Sequence, residues 1–349
     1  MSQFLRPAIH QMSGYTPGEQ PKDGRLLKLN TNESPYPPSP KVAEAIQNII
    51  ATDRLRKYPD PIGSEFRQAA GRVLGVDPEA ILIGNGSDDI LTILTRAFVV
   101  EGGLLVSPTP SYTLYRTLAD IQGANLETVP FTSDWNLRSP WPLPNANLTF
   151  VPNPNSPTGT VLAVETLERL AGELNGPLVI DEAYADFAET NALTLHRLEN
   201  VVVTRTMSKS YALAGIRFGF GVANPGLIRE LIKVKDSYNC DVLSLAAATA
   251  AISDQEYLQW VRKRIVATRT RLDSELKRLG FATIPSHANL VWCQREGSDH
   301  ESIYKALKQR NILVRYMSYA GFGNGLRITV GTDEDIDRLL EELEDLLKQ

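Results

Sequence analysis

The chemistry this sequence can do is concentrated where apolar runs end. In VVVTRTMSKSYALAGIRFGFGVA, Val201 to Ala223, Lys209 stands between two serines just after one apolar run, and Arg217 stands just before another. A lysine in such a place can be a surface charge, a phosphate clamp or an amine nucleophile. Apolar VVV before it and YALAG after it point to partial burial, and desolvation of an ammonium favours the neutral amine that attacks carbonyl carbon. Two further apolar runs end in polar groups, LTFVPN leading to Asn155 and PLVI leading to Asp181.

Elements that could position these groups follow from the pattern. Short apolar runs at 80–84, 102–108, 148–153, 177–184, 200–206 and 218–223 alternate with helical spacing, which predicts an α/β chain with an open, mainly parallel sheet covered by helices. In DDILTILTRAF, Ile90, Leu91, Ile93, Leu94, Ala97 and Phe98 recur at helical spacing, so this helix should lie on the sheet. After about residue 240 a long charged helix, short strands and a final amphipathic helix predict a smaller α+β domain. The expected division is an N-terminal segment, 1–40, packing with the small domain or a partner subunit, a large domain, 41–240, and the small domain, 241–349. Ligands of open α/β sheets gather at the carboxyl ends of strands, where Asn155, Asp181 and Lys209 would meet.

Composition narrows the partners. A formal charge of −5 without a basic run argues against nucleic acid or a membrane surface and for small molecules. Cys240 and Cys293 lack ligand spacing and fit core packing in a reducing compartment, and His10, His196, His287 and His300 are scattered, so no metal is expected. No apolar stretch approaches the roughly 20 residues of a membrane span, and no secretory segment opens the sequence; a cytoplasmic protein is expected. GNGSDD lacks the third glycine of a dinucleotide fingerprint and no P-loop motif occurs, which disfavours a nucleotide-dependent oxidoreductase.

A nucleophilic lysine beside a buried carboxylate suits pyridoxal phosphate, which needs a Schiff-base lysine and a carboxylate that keeps its pyridine nitrogen protonated. Motifs along the chain support that cofactor. LNTNESPYPPSP, KYPDP, GNGSDDIL, PTPSYTLY, VPNPNSPTG, VIDEAYADF, RTMSKSYALAGIRFGF and LRITVGT occur in this order. Together they resemble the pyridoxal-phosphate aminotransferases of the aspartate-aminotransferase-like fold, and more narrowly the histidinol-phosphate aminotransferase family, over essentially the whole chain.

The resemblance implies that Lys209 bonds covalently to pyridoxal 5'-phosphate and later moves the substrate proton. It implies that Asp181 pairs with the pyridine nitrogen, that Asn155 and Tyr184 hydrogen-bond the phenolic oxygen, and that Tyr112 stacks on the ring. Gly86, Ser87 and Asp88 would offer helix N-terminal N–H groups to the phosphate, with Ser208 and Arg217 completing the cup. Tyr58 would reach the phosphate of a partner subunit, implying a homodimer with shared sites. Arg327 would grip the substrate anion, helped by Arg315 and Tyr15, with Asn32 on the substrate side. Asp89 stands where the family often has glutamate, a change expected to touch a helix cap and leave phosphate binding intact. The implied reaction exchanges an amino group between L-histidinol phosphate and 2-oxoglutarate, giving imidazole acetol phosphate and L-glutamate. Relatives on this framework decarboxylate threonine phosphate or transaminate aromatic amino acids, and a few pocket side chains separate the three.

Overall fold

In the computed structural model, residues 4–14, 17–20 and 26–348 are described. The chain begins with α1 (Pro7–Gln11), β1 (Leu27–Lys28), α2 (Pro40–Ala51) and α3 (Ser64–Leu74). The main sheet is then built from β2 (Ile81–Gly84), α4 (Ser87–Phe98), β3 (Leu104–Thr109), α5 (Leu114–Gln122), β4 (Asn125–Pro130), β5 (Leu148–Pro152), α6 (Val164–Glu173), β6 (Leu178–Asp181), β7 (Val201–Thr206) and β8 (Gly219–Ala223). It has seven strands in the order β2-β8-β7-β6-β5-β3-β4. Strands β3 to β7 run parallel, while β8 is antiparallel to both neighbours, β7 and β2.

Helices cover both faces, so the central strands can be apolar throughout. Every residue of β5, β6, β7 and β8 is buried. Alternate residues feed opposite cores: Val151, Ile180 and Val203 join one cluster, and Phe150, Val179 and Val202 join the other. Strand β4 is different. It closes one edge, is mostly exposed, and has no apolar run to announce it.

After α7 (Pro225–Leu231), α8 (Val242–Ser253) packs Ala247, Ala248, Ala251 and Ile252 against Phe66, Ile83 and Phe220. The core around the large sheet therefore extends to Ile252, beyond residue 240. Helix α9 (Gln255–Arg278) leads to β9 (Ala282–Thr283), β10 (Leu290–Gln294), α10 (His300–Gln309), β11 (Ile312–Leu313), β12 (Arg315–Tyr319), β13 (Gly323–Thr329) and α11 (Asp333–Leu347). Four of these strands form an antiparallel sheet, β12-β13-β10-β9, over a core of Leu272, Leu276, Val291, Leu326, Ile328 and Leu339. Strand β1 pairs in parallel with β11, and the Thr329 amide donates to the Leu29 carbonyl, so the stretch after β1 is laced to the second sheet. Among the described residues no helix is long and apolar enough to cross a membrane.

Candidate active site

A cavity of about 300 Å³ lies where the carboxyl ends of β5, β6 and β7 meet the N-terminus of α4, the segment after β1, and the faces of β12 and β13. Lys209, Asp181, Tyr184, Tyr112, Ser87, Asp88, Ser208, Arg217, Arg315, Arg327 and Asn32 all line it. The connection from β7 to β8 contains no helix. It is a loop over 207–218 in which Ala212 and Arg217 take φ of 58° and 55°. That loop turns the chain back so that β8 can run antiparallel, and it brings Lys209 and Arg217 to one wall.

Lys209 Nζ donates to the Thr31 carbonyl at 3.1 Å and lies 6.0 Å from the centre of the Tyr184 ring. Asp181, at the end of β6, is only 4% exposed and accepts from Tyr115 Oη at 3.0 Å and Thr204 Oγ1 at 3.1 Å. Burial pushes this carboxyl up to about 6, against the pull of those two hydroxyls, and the charge of Asp88 adds to the rise. A carboxylate held by two neutral donors lacks a positive partner, and a protonated pyridine nitrogen has the charge and the donor to be one.

The anion end is built from backbone. Gly86 caps α4 with φ 90° and no side-chain cap, so first-turn N–H groups face the cavity mouth. A Cβ on Gly86 would come within 2.7 Å of Arg217 Nη2, and one on Gly219 within 2.3 Å of the Ser87 nitrogen, so β8 can pass beneath α4 only with glycine there. Arg217 Nη1 donates to Ser208 Oγ at 3.2 Å, and Nη2 lies 3.5 Å from Asp88 Oδ2. Asp89 accepts from the Asn85 amide at 2.9 Å and from Asn239 Nδ2 at 2.9 Å, tying the turn before α4. Tyr112 donates to Asp88 Oδ1 at 3.3 Å and stands edge-on to Tyr115. These groups fit a phosphorylated pyridine: a cup for its phosphate, an aromatic wall, a carboxylate at the far side and an amine between.

Two arginine side chains face this half-site. Arg315 on β12 and Arg327 on β13 are directly opposed in the ladder, an arrangement of like charges that costs stability unless an anion answers it. Arg327 donates to two neutral acceptors, Ser156 Oγ at 3.1 Å and the Asn30 carbonyl at 2.7 Å, while its buried Nε has no partner.

Some sequence expectations do not converge here. Asn155 is not among the residues lining the cavity: it is buried, its Nδ2 donates to the Pro110 carbonyl at 3.1 Å and Thr158 Oγ1 at 2.9 Å, and its Oδ1 has no partner. The next residue, Ser156, takes the cavity face. Tyr58 is 81% exposed outside its own chain's cavity and stacks on Tyr238 with centroids 4.6 Å apart. Tyr15 lies outside the described residues.

Other residues matter that the sequence reading passed over. Tyr115 comes three residues after Tyr112, yet reaches Asp181. Arg205, in the fully buried β7, pairs with Glu182 at 2.7 Å and Asp186 at 3.1 Å, and Ser210 donates to Asp186. This network clamps the Asp181–Tyr184 turn to the Lys209 loop. A charged residue inside an all-buried strand was the available signal.

Residues 25–343 match the family model "Aminotransferase class I and II". A histidinol-phosphate aminotransferase of Rhodopirellula baltica is 54% identical, covering 97% of this chain and 94% of that protein. Histidinol-phosphate aminotransferase 1 of Nostoc sp. is 46% identical over 100% of this chain and 99% of the relative. Among solved structures, histidinol-phosphate aminotransferase from Sinorhizobium meliloti in complex with pyridoxal-5'-phosphate superposes with a TM-score of 0.89 at 27% identity, covering 100% of this chain and 98% of that one. A Thermus thermophilus aspartate aminotransferase variant shares the fold at TM-score 0.84 and 20% identity, over 99% and 100% of the two chains. From the motif order, the cavity and these full-length matches together, the chain belongs to the class I and II aminotransferases and, within them, to the histidinol-phosphate aminotransferase family.

Proposed function

We propose that the protein is a pyridoxal-phosphate-dependent histidinol-phosphate aminotransferase that interconverts L-histidinol phosphate and 2-oxoglutarate with imidazole acetol phosphate and L-glutamate, in histidine biosynthesis. The observation that carries the proposal is a single cavity with Lys209 and Asp181 on one wall and the opposed Arg315 and Arg327 on another. When bound, the cofactor supplies an electron sink for bond breaking at the amino-bearing carbon of the substrate.

The residues do the rest. Lys209 Nζ is the base that takes the proton from that carbon of the amino donor and, in the opposite half-reaction, the acid that gives one to the corresponding carbon of the amino acceptor. Asp181 holds a proton on the pyridine nitrogen, and Tyr184 Oη donates to the phenolic oxygen. Ser87 and Asp88 give backbone N–H groups to the cofactor phosphate, with Ser208 and Arg217 beside them, whereas the Gly86 N–H is held by the Gly84 carbonyl at 2.9 Å and shapes the turn instead. Arg327 takes the anion of either substrate, a phosphate in one half-reaction and a carboxylate in the other, and Arg315 adds a second positive charge. Both substrates use one site in turn, a ping-pong order.

Tyr58, exposed in the same stretch of chain as exposed Leu55 and Ile50, supports a homodimer in which it reaches the partner's cofactor phosphate. Free, buried Cys240 and Cys293 suit a cytoplasmic location. The test mixes cofactor-loaded protein separately with histidinol phosphate, phosphothreonine and phenylalanine, following the cofactor absorbance and released carbon dioxide. Amino transfer from histidinol phosphate, lost in Lys209→Ala, is expected. Carbon dioxide from phosphothreonine, or preference for phenylalanine, would overturn the substrate assignment; turnover by Lys209→Ala would overturn the mechanism.

A further inference from the structure

Tyr184 Oη is in contact with Asn32, a residue delivered from the other end of the chain. Asn32 Nδ2 lies 2.8 Å from Tyr184 Oη, Asn32 Oδ1 lies 3.1 Å from Thr329 Oγ1, and the Asn32 backbone N–H lies 3.0 Å from the same Thr329 oxygen. Asn289 Nδ2 donates to the Asn32 carbonyl at 3.0 Å. Asn32, Asn289 and Thr329 are 1%, 0% and 3% exposed, so water cannot replace these partners freely.

The direction of every bond follows from the one group that cannot turn. A backbone N–H can only donate, so Thr329 Oγ1 accepts from Asn32 and its own proton must find another acceptor. Asn32 Oδ1 is that acceptor. If the amide were reversed, its NH₂ would meet an oxygen already accepting, and the threonine proton would be buried unpaired at a cost of about 1–3 kcal/mol. The Asn32 NH₂ therefore faces Tyr184, whose oxygen accepts and whose proton is left to point into the cavity.

We infer that Thr329 and Asn32 are positioning residues that commit the Tyr184 hydroxyl to donating into the site, toward the phenolic oxygen of the cofactor. This rests on the reading of Lys209 and Tyr184 given above. A proton delivered there stabilises the anionic oxygen. Without the threonine hydroxyl, the Asn32 amide can turn and Tyr184 can donate to Asn32 Oδ1 instead.

The test titrates the visible absorbance of cofactor-loaded protein against pH. Thr329→Val should raise the midpoint of the colour change by roughly one pH unit, the scale of one lost hydrogen bond to a charged form. Thr329→Ser should keep the wild-type midpoint. In a Tyr184→Phe background Thr329→Val should move nothing further, a coupling that a merely structural role would not produce. Should Thr329→Val not fold, Thr329→Ala is measured in the same two backgrounds. An unchanged midpoint in the folded valine or alanine protein, or an equal rise without Tyr184, overturns the inference. Wild-type protein that takes up no colour at all would instead overturn the functional reading beneath it.

Discussion

Asp181 should destabilise the cofactor-free protein that it serves. Its carboxyl is pushed from the ordinary 3.8 to about 6 by burial, so the folded chain keeps a proton that the unfolded chain has already released. The penalty is absent below the unfolded value, grows between 3.8 and about 6, and is complete above that. In full it amounts to about 3 kcal/mol, from roughly 1.4 kcal/mol per pH unit of difference. Asp181→Asn removes the charge and keeps a partner for each of Tyr115 and Thr204, whose hydroxyls can turn to accept or donate. Urea unfolding of the cofactor-stripped proteins should show the asparagine variant more stable by about 3 kcal/mol near pH 7.5 and by only about half of that near pH 5. With cofactor added the order should reverse, because the variant lacks the charge that holds the pyridine proton. A gain of equal size at both pH values, or a less stable variant at pH 7.5, would refute the argument that an unanswered buried charge is responsible.

Arg205→Leu leaves Glu182 charged and 1% exposed, so it should cost about 3–5 kcal/mol in unfolding free energy, and pairing it with Glu182→Leu should recover much of the loss in the same urea assay. Gly219→Ala drives a methyl to within 2.3 Å of the Ser87 nitrogen, which should displace the start of α4 and weaken cofactor binding at least tenfold in equilibrium dialysis. Arg327→Ala should raise KM in both half-reactions by about a hundredfold, the scale of a charge-assisted bidentate contact, whereas Arg315→Ala should do less in steady-state kinetics on each substrate.

Lys209, Asp181 and Arg217 were legible because each marks the boundary of a continuous apolar run, and a strand buried on both faces admits a charged side chain inside it only where partners are built in, as they are for Arg205. The α4 cup was legible for a similar reason, since glycine and acidic residues precede a clean helical period. Strand direction was not. FGFGVA reads the same whether β8 runs with its neighbours or against them, and only the loop over 207–218 decides it. Asn155 and Ser156 differ by one residue within a loop, where no period of two or 3.6 fixes which side chain faces the cavity. The contact from Asn32 to Thr329 spans 297 residues, beyond any local pattern.

The short stretch Asn30 to Asn32 touches three side chains of the site at once: its carbonyls accept from Arg327 and Lys209, and the Asn32 side-chain amide donates to Tyr184 Oη. Ligand entry is therefore an exchange of partners. Under the proposed function, a substrate anion at Arg327 would compete with the Asn30 carbonyl, and engagement of Lys209 by the cofactor would free the Thr31 carbonyl. Measured affinity is then a difference between two sets of contacts, and changes in this stretch of the cavity wall should shift apparent binding of substrate and cofactor together while leaving the sheet's own cavity-lining residues unaltered.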